Sequence, residues 1–188
     1  MEPVEKETRR KRRQNCHAHL ATILIGCILW AQCAFGKSGH PQLYTDPQYR
    51  FRVACPDSGW TVSDETGIRE VLIVMKSEAM AEGFIPNVTI AIEFLPRMMT
   101  AEEYGKKNLQ SLAAEGYEMR SWKKTVIHHN AFYDLRCSNQ IVSPPLRFRY
   151  LCLLKNRVGF IITCTAPERH YAHYARDFEF IVNSFRFL

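Results

Sequence analysis

PERHYAHYARDFEFIVNSF, residues 167–185, carries the clearest helical pattern of the chain. Its apolar residues recur at steps of three and four, the spacing of one face of an α-helix. Those residues are Tyr171, Tyr174, Ala175, Phe178, Ile181, Val182 and Phe185. Because a missing amide costs little in a first turn, we expect the helix to begin near Pro167, and we expect it to end near Phe185. The aromatic face is about four turns long and must be buried against other elements.

The residues before this helix read as consecutive strands. Four apolar or alternating segments are expected to be strands: 118–127, 131–142, 146–155 and 158–165. The breaks between them are short and rich in turn residues: His128-His129-Asn130, Ser143-Pro144-Pro145 and Asn156-Arg157. Connections of this length join neighbouring antiparallel strands, so the sequence predicts a meander.

Three further strands and one helix are expected upstream. The strand segments are YRFRVACP (49–56), VLIVMKS (71–77) and NVTIAIEFLP (87–96). Thr100 and Glu103 have the spacing of a capping box, and the helix that they open is expected to end near Gly116. Two helices and about seven mostly antiparallel strands predict an α+β domain in which the helices flank the sheet.

Residues 9–36 have the three parts of an export signal. Five consecutive basic residues precede an apolar stretch from Leu20 to Trp30, and small residues follow as far as Gly36. Cleavage near Gly36, lipidation of Cys27 in a bacterial lipoprotein box, and an uncleaved membrane anchor all fit this pattern. In each case the rest of the chain is delivered across a membrane, to the periplasm, the outer face of a membrane or the medium.

The division that follows is a signal peptide or anchor at 1–36, a linker at 37–48 and one α/β domain at 49–188. A cytosolic nucleic-acid arm is the competing interpretation of the basic run. Half of the net charge of +6 belongs to the first 36 residues, and the +3 that remains is ordinary for a domain. We therefore expect no nucleic-acid partner.

The cysteines after the leader are Cys55, Cys137, Cys152 and Cys164. Four cysteines in an oxidising compartment permit three disulfide pairings. Small buried hydrophobic residues are the equally acceptable interpretation, because Cys152 and Cys164 occupy apolar strand positions. The sequence leaves both open.

His170, His173 and Asp177 share one stripe of the last helix, so two imidazoles and a carboxylate could reach one cation. A solvated helix flank is the simpler interpretation, since a fourth ligand is not evident. Arg147 and Arg149 alternate with aromatic residues that face the other side of their strand, so a basic stripe there has no stacking platform for RNA. No nucleophile, phosphate-loop or metalloprotease motif occurs, and we expect neither catalysis nor a cofactor.

Several short motifs resemble the PsbP-like superfamily, which includes the bacterial envelope lipoprotein family DcrB and a nuclear Ran-binding protein. The matching features are FRVACPDSGWTV (51–62), Asn87 opening NVTIAIEFL, Thr100 with Tyr104, GFIITCTAP (159–167), and Ile181, Ser184 and Phe185 in FIVNSFRF. The resemblance covers about residues 49–187. It implies an αβα sandwich around an antiparallel sheet and a non-catalytic role in binding or assembly, with no site residue carried over.

Two functional hypotheses follow. The first is an exported, envelope-associated binding or assembly module of a bacterium, with a protein partner and with the N-terminal segment at the membrane. The second is a small metal-dependent envelope protein or enzyme that uses His170, His173 and Asp177.

Overall fold

The computed structural model describes residues 41–188. The predicted signal or anchor at 1–36, the lipidation candidate Cys27 and the first residues of the predicted linker lie outside this range. Within it, no helix combines the length and the apolar character needed to cross a membrane.

Ten strands and two helices make up the described chain. The strands are β1 (Gln42–Asp46), β2 (Phe51–Cys55), β3 (Trp60–Ser63), β4 (Val71–Ser77), β5 (Asn87–Phe94), β6 (Glu118–Ile127), β7 (Asn130–Asn139), β8 (Leu146–Lys155), β9 (Val158–Pro167) and β10 (Arg186–Phe187). The helices are α1 (Ala101–Ala114) and α2 (Tyr171–Ser184). The predicted α+β class is confirmed.

The strands form two sheets. The larger sheet has seven strands in the order β3-β4-β5-β9-β8-β7-β6, and every neighbouring pair is antiparallel. The smaller sheet has the order β1-β2-β10. Strands β6 to β9 form the predicted meander, and β5 pairs with the other side of β9.

The aromatic face of α2 is buried, as its spacing predicts. Phe178, Ile181, Val182 and Phe185 are all at most 1% exposed, and they share one apolar core with β2 and the inner face of the larger sheet. Helix α1 packs on the other face, over β7 and β8, where Tyr104 is fully buried. The two helices therefore lie on opposite sides of the larger sheet.

The strand count of seven is right for the larger sheet, but its membership differs from the prediction. The first predicted strand became β2, which belongs to the smaller sheet, while β3, after the Gly59 turn, forms the edge of the larger one. Strand β1 lies inside the segment predicted to be a linker and pairs with β2 along its whole length. Strand β9 extends as far as Pro167, which pairs with Leu146 of β8. Because Pro167 belongs to the sheet, α2 begins later than expected, at Tyr171.

The motifs that suggested the fold hold its elements together. Ser184 Oγ accepts a hydrogen bond from the Ala54 amide at 2.8 Å and donates to the Ile181 carbonyl at 2.7 Å, which ties the end of α2 to β2. Trp60 Nε1 donates to Asp177 Oδ2 at 2.9 Å, which ties β3 to the same helix. These side chains mark where the smaller sheet and the sheet edge meet α2.

The capping box of α1 is formed as predicted. Thr100 Oγ1 accepts from the Glu103 amide at 3.1 Å, and Glu103 Oε2 accepts from the Thr100 amide at 2.7 Å. Two amides that the helix leaves unpaired are thereby satisfied.

Thr100→Ala should lower the free energy of unfolding by about 1 kcal/mol, because the Glu103 amide loses its acceptor. Urea unfolding monitored by circular dichroism measures the change. Thr100→Ser keeps the capping oxygen and should stay within about 0.5 kcal/mol of the wild type. Equal losses in the two variants would contradict the assignment of the cap.

Candidate functional site

Of the three residues proposed from helix spacing as metal ligands, Asp177 and His170 each contact a different partner. Asp177 accepts the hydrogen bond of Trp60 described above, and His170 Nε2 lies 3.2 Å from Glu82 Oε1. His173 lies between them in the chain. No group of three or more His, Cys, Asp or Glu side chains within residues 41–188 is arranged to hold a metal ion.

The four cysteines of the domain are free, buried thiols. Burial raises the pKa of Cys55, Cys137 and Cys164 to about 12 and raises the pKa of Cys152 as well. A thiol acts as a nucleophile only as a thiolate, so these groups are unreactive at neutral pH. They serve as small apolar residues of the core.

The domain should lose stability as the pH rises above about 9. Each thiol has a higher pKa in the folded chain than the ordinary value of 9.0, so above that pH the unfolded chain releases protons that the folded chain keeps. The free energy of unfolding should fall by about 1.4 kcal/mol per pH unit for each thiol. Urea unfolding at several pH values between 8 and 11 measures this slope.

Cys137→Ala provides the control for this prediction. Its free energy of unfolding at pH 8 should be lower than that of the wild type, because a buried sulfur is lost. Above pH 9 this free energy should fall less steeply than in the wild type, by the contribution of one thiol, about 1.4 kcal/mol per pH unit. The same slope in both proteins would show that buried thiols do not cause the alkaline loss.

A buried ion pair lies on the α2 side of the larger sheet. Arg149 Nη2 is 2.9 Å from Asp134 Oδ2, and the two side chains are 8% and 1% exposed. Glu179 of α2 adds a second carboxylate at 2.7 Å from Arg149 Nη1. Burial opposes the charged form of Arg149, but the hydrogen bonds that it donates to Asp134 and Glu179 nevertheless raise its pKa. Arg136 of β7 makes a second, longer contact to Asp134 at 3.4 Å, and the cluster fixes α2 on β7 and β8.

The predicted basic stripe is therefore only partly a surface feature. Arg147 and Arg149 do face away from Phe148 and Tyr150, as expected, and the Arg147 guanidinium lies over the ring of Tyr171 at 4.8 Å. Arg147 is partly exposed and contacts an aromatic ring, whereas Arg149 is buried and ion-paired. Sequence spacing missed Asp134, because its partner lies one strand away in the sheet.

The most accessible ordered element is the edge strand β6. The larger sheet ends at β3 on one side and at β6 on the other, and these strands are four and ten residues long. Among residues 41–188, no strand pairs with the outer side of β6. A long unpaired edge presents a row of backbone donors and acceptors, to which another strand can add.

Aromatic and apolar side chains line the same edge. Trp122 is 47% exposed and stacks on Tyr133 of β7, with ring centroids 6.0 Å apart and planes 18° apart. Val126, four residues further along β6, is 64% exposed. Because the stack fixes the indole, Trp122 offers a flat apolar surface with little conformational entropy to lose on binding.

The edge is also basic. Lys123 and Lys124 are both exposed, one on each face of β6, and neither forms an ion pair with another residue of the described chain. We call Trp122, Lys124, Val126 and the outer backbone of β6 the β6 edge. It is the candidate interaction surface of the domain.

Sequence reasoning predicted β6 as a strand but not its position in the sheet. The available signal was its composition: EMRSWKKTVI carries charged or polar residues on both faces, whereas the strands beside it are apolar on at least one. A strand that is polar on both faces suits an edge, where neither face is fully covered.

Comparisons with known proteins found similarity by structure alone. No protein-family model matches the sequence, and the search of curated proteins found no match. The solution structure of cyanobacterial PsbP (CyanoP) from Synechocystis is similar with a TM-score of 0.58 and 14% identity, over 84% of this chain and 98% of that one.

Two crystal structures extend this likeness. A protein of unknown function from Pseudomonas aeruginosa, described as a putative regulator, matches with a TM-score of 0.55 and 15% identity over 78% of this chain and 96% of its own. The Ran-binding protein Mog1p of Saccharomyces cerevisiae matches with a TM-score of 0.51 and 11% identity over 80% and 96%. The chain has the PsbP/Mog1-like fold.

Proposed function

We propose that this protein is an exported, envelope-associated module that binds a protein partner and has no catalytic activity of its own. The observation that carries the proposal is the β6 edge. Its strand is ten residues long, its Trp122 is exposed and stacked, and no other strand of the described chain pairs with its outer side. Exposed aromatic residues on rigid elements are typical anchors of protein interfaces.

Three further points favour binding over catalysis. The thiols are buried and their pKa values are raised, so they make poor nucleophiles. Two buried charges, Asp134 and Arg149, pair with each other. One protein of the same fold, yeast Mog1p, is named for binding a protein, Ran.

Export is supported by the leader sequence. The basic run at residues 9–13 and the apolar stretch from Leu20 to Trp30 have the composition that the secretion machinery reads. A reporter enzyme that folds only outside the cytoplasm, fused after Leu188, should be active when the full chain is expressed in a bacterium. The same fusion with the five basic and the apolar residues deleted should be inactive. Equal activity of the two fusions would contradict export by this leader.

Binding at the β6 edge is tested by site-specific photo-crosslinking in cells. A photoreactive residue at position 126 should give a discrete adduct with another protein. The matched control is position 180 on α2, the helix on the opposite face of the larger sheet from α1. Phe180 there is 40% exposed, and this position should give no adduct. Adducts at position 180 alone, or at neither position, would contradict the proposal.

A further inference from the structure

The turn that joins β6 to β7 determines which backbone groups of β6 point outward. His128 and His129 form a two-residue turn with φ of 47° and 66°, so the turn hydrogen bond joins Ile127 to Asn130. Bonded and non-bonded pairs then alternate along an antiparallel ladder. The amides and carbonyls that point away from β7 are those of Trp122, Lys124 and Val126.

The side chains of the same three residues share one face. Successive residues of a strand alternate between faces, so Trp122, Lys124 and Val126 lie side by side on the face that carries α1. Trp122 lies beside Tyr133 there, and Lys124 is the register partner of Tyr133. The β6 edge thus offers backbone hydrogen bonds and, in the same positions, an apolar, a basic and an apolar side chain.

The charge of the edge selects against a second copy of the chain. An antiparallel pairing of two β6 strands about their centres would bring Lys123 and Lys124 of one copy close to those of the other, and facing like charges are destabilising. The nearby acidic residue of α1, Glu102, already pairs with Lys106 at 2.7 Å. The lysines of the edge are therefore complementary to an acidic strand.

From this placement, and resting on the proposed function, we infer that the β6 edge binds an extended acidic segment of a partner protein. The segment adds to the sheet as an eighth strand. It places a carboxylate opposite Lys124 and an apolar residue two positions to either side, opposite Trp122 and Val126. Its recognition pattern is apolar-x-acidic-x-apolar.

The probe is a nine-residue peptide, acetylated and amidated, with the sequence TTVTETVTT and a fluorescent label. Its anisotropy should rise on titration with the full chain. Two controls test the two halves of the inference. Replacing the central Glu by Lys should weaken binding about tenfold or more, and N-methylation of the two Val and the Glu, which removes the bonding amides, should abolish it.

Lys124→Glu is the decisive variant, because an exposed edge residue can change without loss of the fold. It should bind the Glu peptide about tenfold more weakly than the wild type and should bind the Lys peptide better than the wild type does. Lys76→Glu, on β4 near the other end of the larger sheet, makes the same change of charge and should leave the peptide affinity within about twofold. Equal binding of both peptides, or of the N-methylated peptide, would overturn the inference.

Failure of the inference can be told from failure of the proposed function. If the peptide does not bind but position 126 still gives an adduct in cells, the edge has a partner of another pattern and only the inference fails. If both signals are absent, the proposed function fails too.

Discussion

Arg149→Ala should lower the free energy of unfolding by about 3–5 kcal/mol. The substitution takes the buried guanidinium away from the Asp134 carboxylate, which is 1% exposed and keeps only a longer contact, at 3.4 Å, to the partly exposed Arg136. Glu179 also loses the guanidinium that joins it to the sheet. Urea unfolding monitored by both fluorescence and circular dichroism measures the loss.

A double variant separates the cost of a buried carboxylate that has lost Arg149 from the value of the pair. Asp134→Leu with Arg149→Met replaces both charges by apolar groups of similar size and should recover most of the stability lost in Arg149→Ala. Glu179 is half exposed and should return to solvent at little cost. A double variant as unstable as the single one would show that the pair itself, rather than the carboxylate left without Arg149, determines the stability.

Phe185→Ala should also cost about 3–5 kcal/mol, because Phe185 is fully buried where the two sheets and α2 meet. Its ring stacks on Phe51 of β2 at 5.3 Å and lies edge-on to Phe132 of β7 at 6.2 Å. Truncation therefore removes contacts to both sheets at once. Thermal and urea unfolding of the full chain measure the change.

Phe180→Ala on the same helix is the matched control. Phe180 is 40% exposed, so its loss should change the free energy of unfolding by only about 0.5 kcal/mol. Phe185→Leu keeps most of the apolar volume and should cost less than Phe185→Ala. Similar losses for positions 180 and 185 would contradict a core centred on Phe185.

Local pattern was sufficient to predict the parts of the fold that depend on neighbouring residues. The α2 face follows from steps of three and four, the α1 start from the Thr100 and Glu103 pair, and the meander from its short turns. The turns at His128-His129 and Asn156-Arg157 were expected as breaks, and all four residues have positive φ. Each of these signals involves residues a few positions apart.

Features that depend on strand order were not predictable in this way. The ion pair of Asp134 and Arg149 joins adjacent strands through a register that spacing does not contain. Strand β1 has an exposed, partly polar sequence and is specified by its pairing with β2 rather than by its own pattern. The exposure of β6 likewise follows from its place at the end of the sheet.

Residue-specific hydrogen exchange of the full chain, followed by nuclear magnetic resonance, tests the β6 edge most directly. In the free protein, the amides of Trp122, Lys124 and Val126 should exchange at least about tenfold faster than those of Lys123, Thr125 and Ile127. Saturation with the Glu peptide should slow those three amides selectively. Amides that are already protected in the free chain, or that stay fast when the peptide is bound, would contradict an open edge that receives a partner strand.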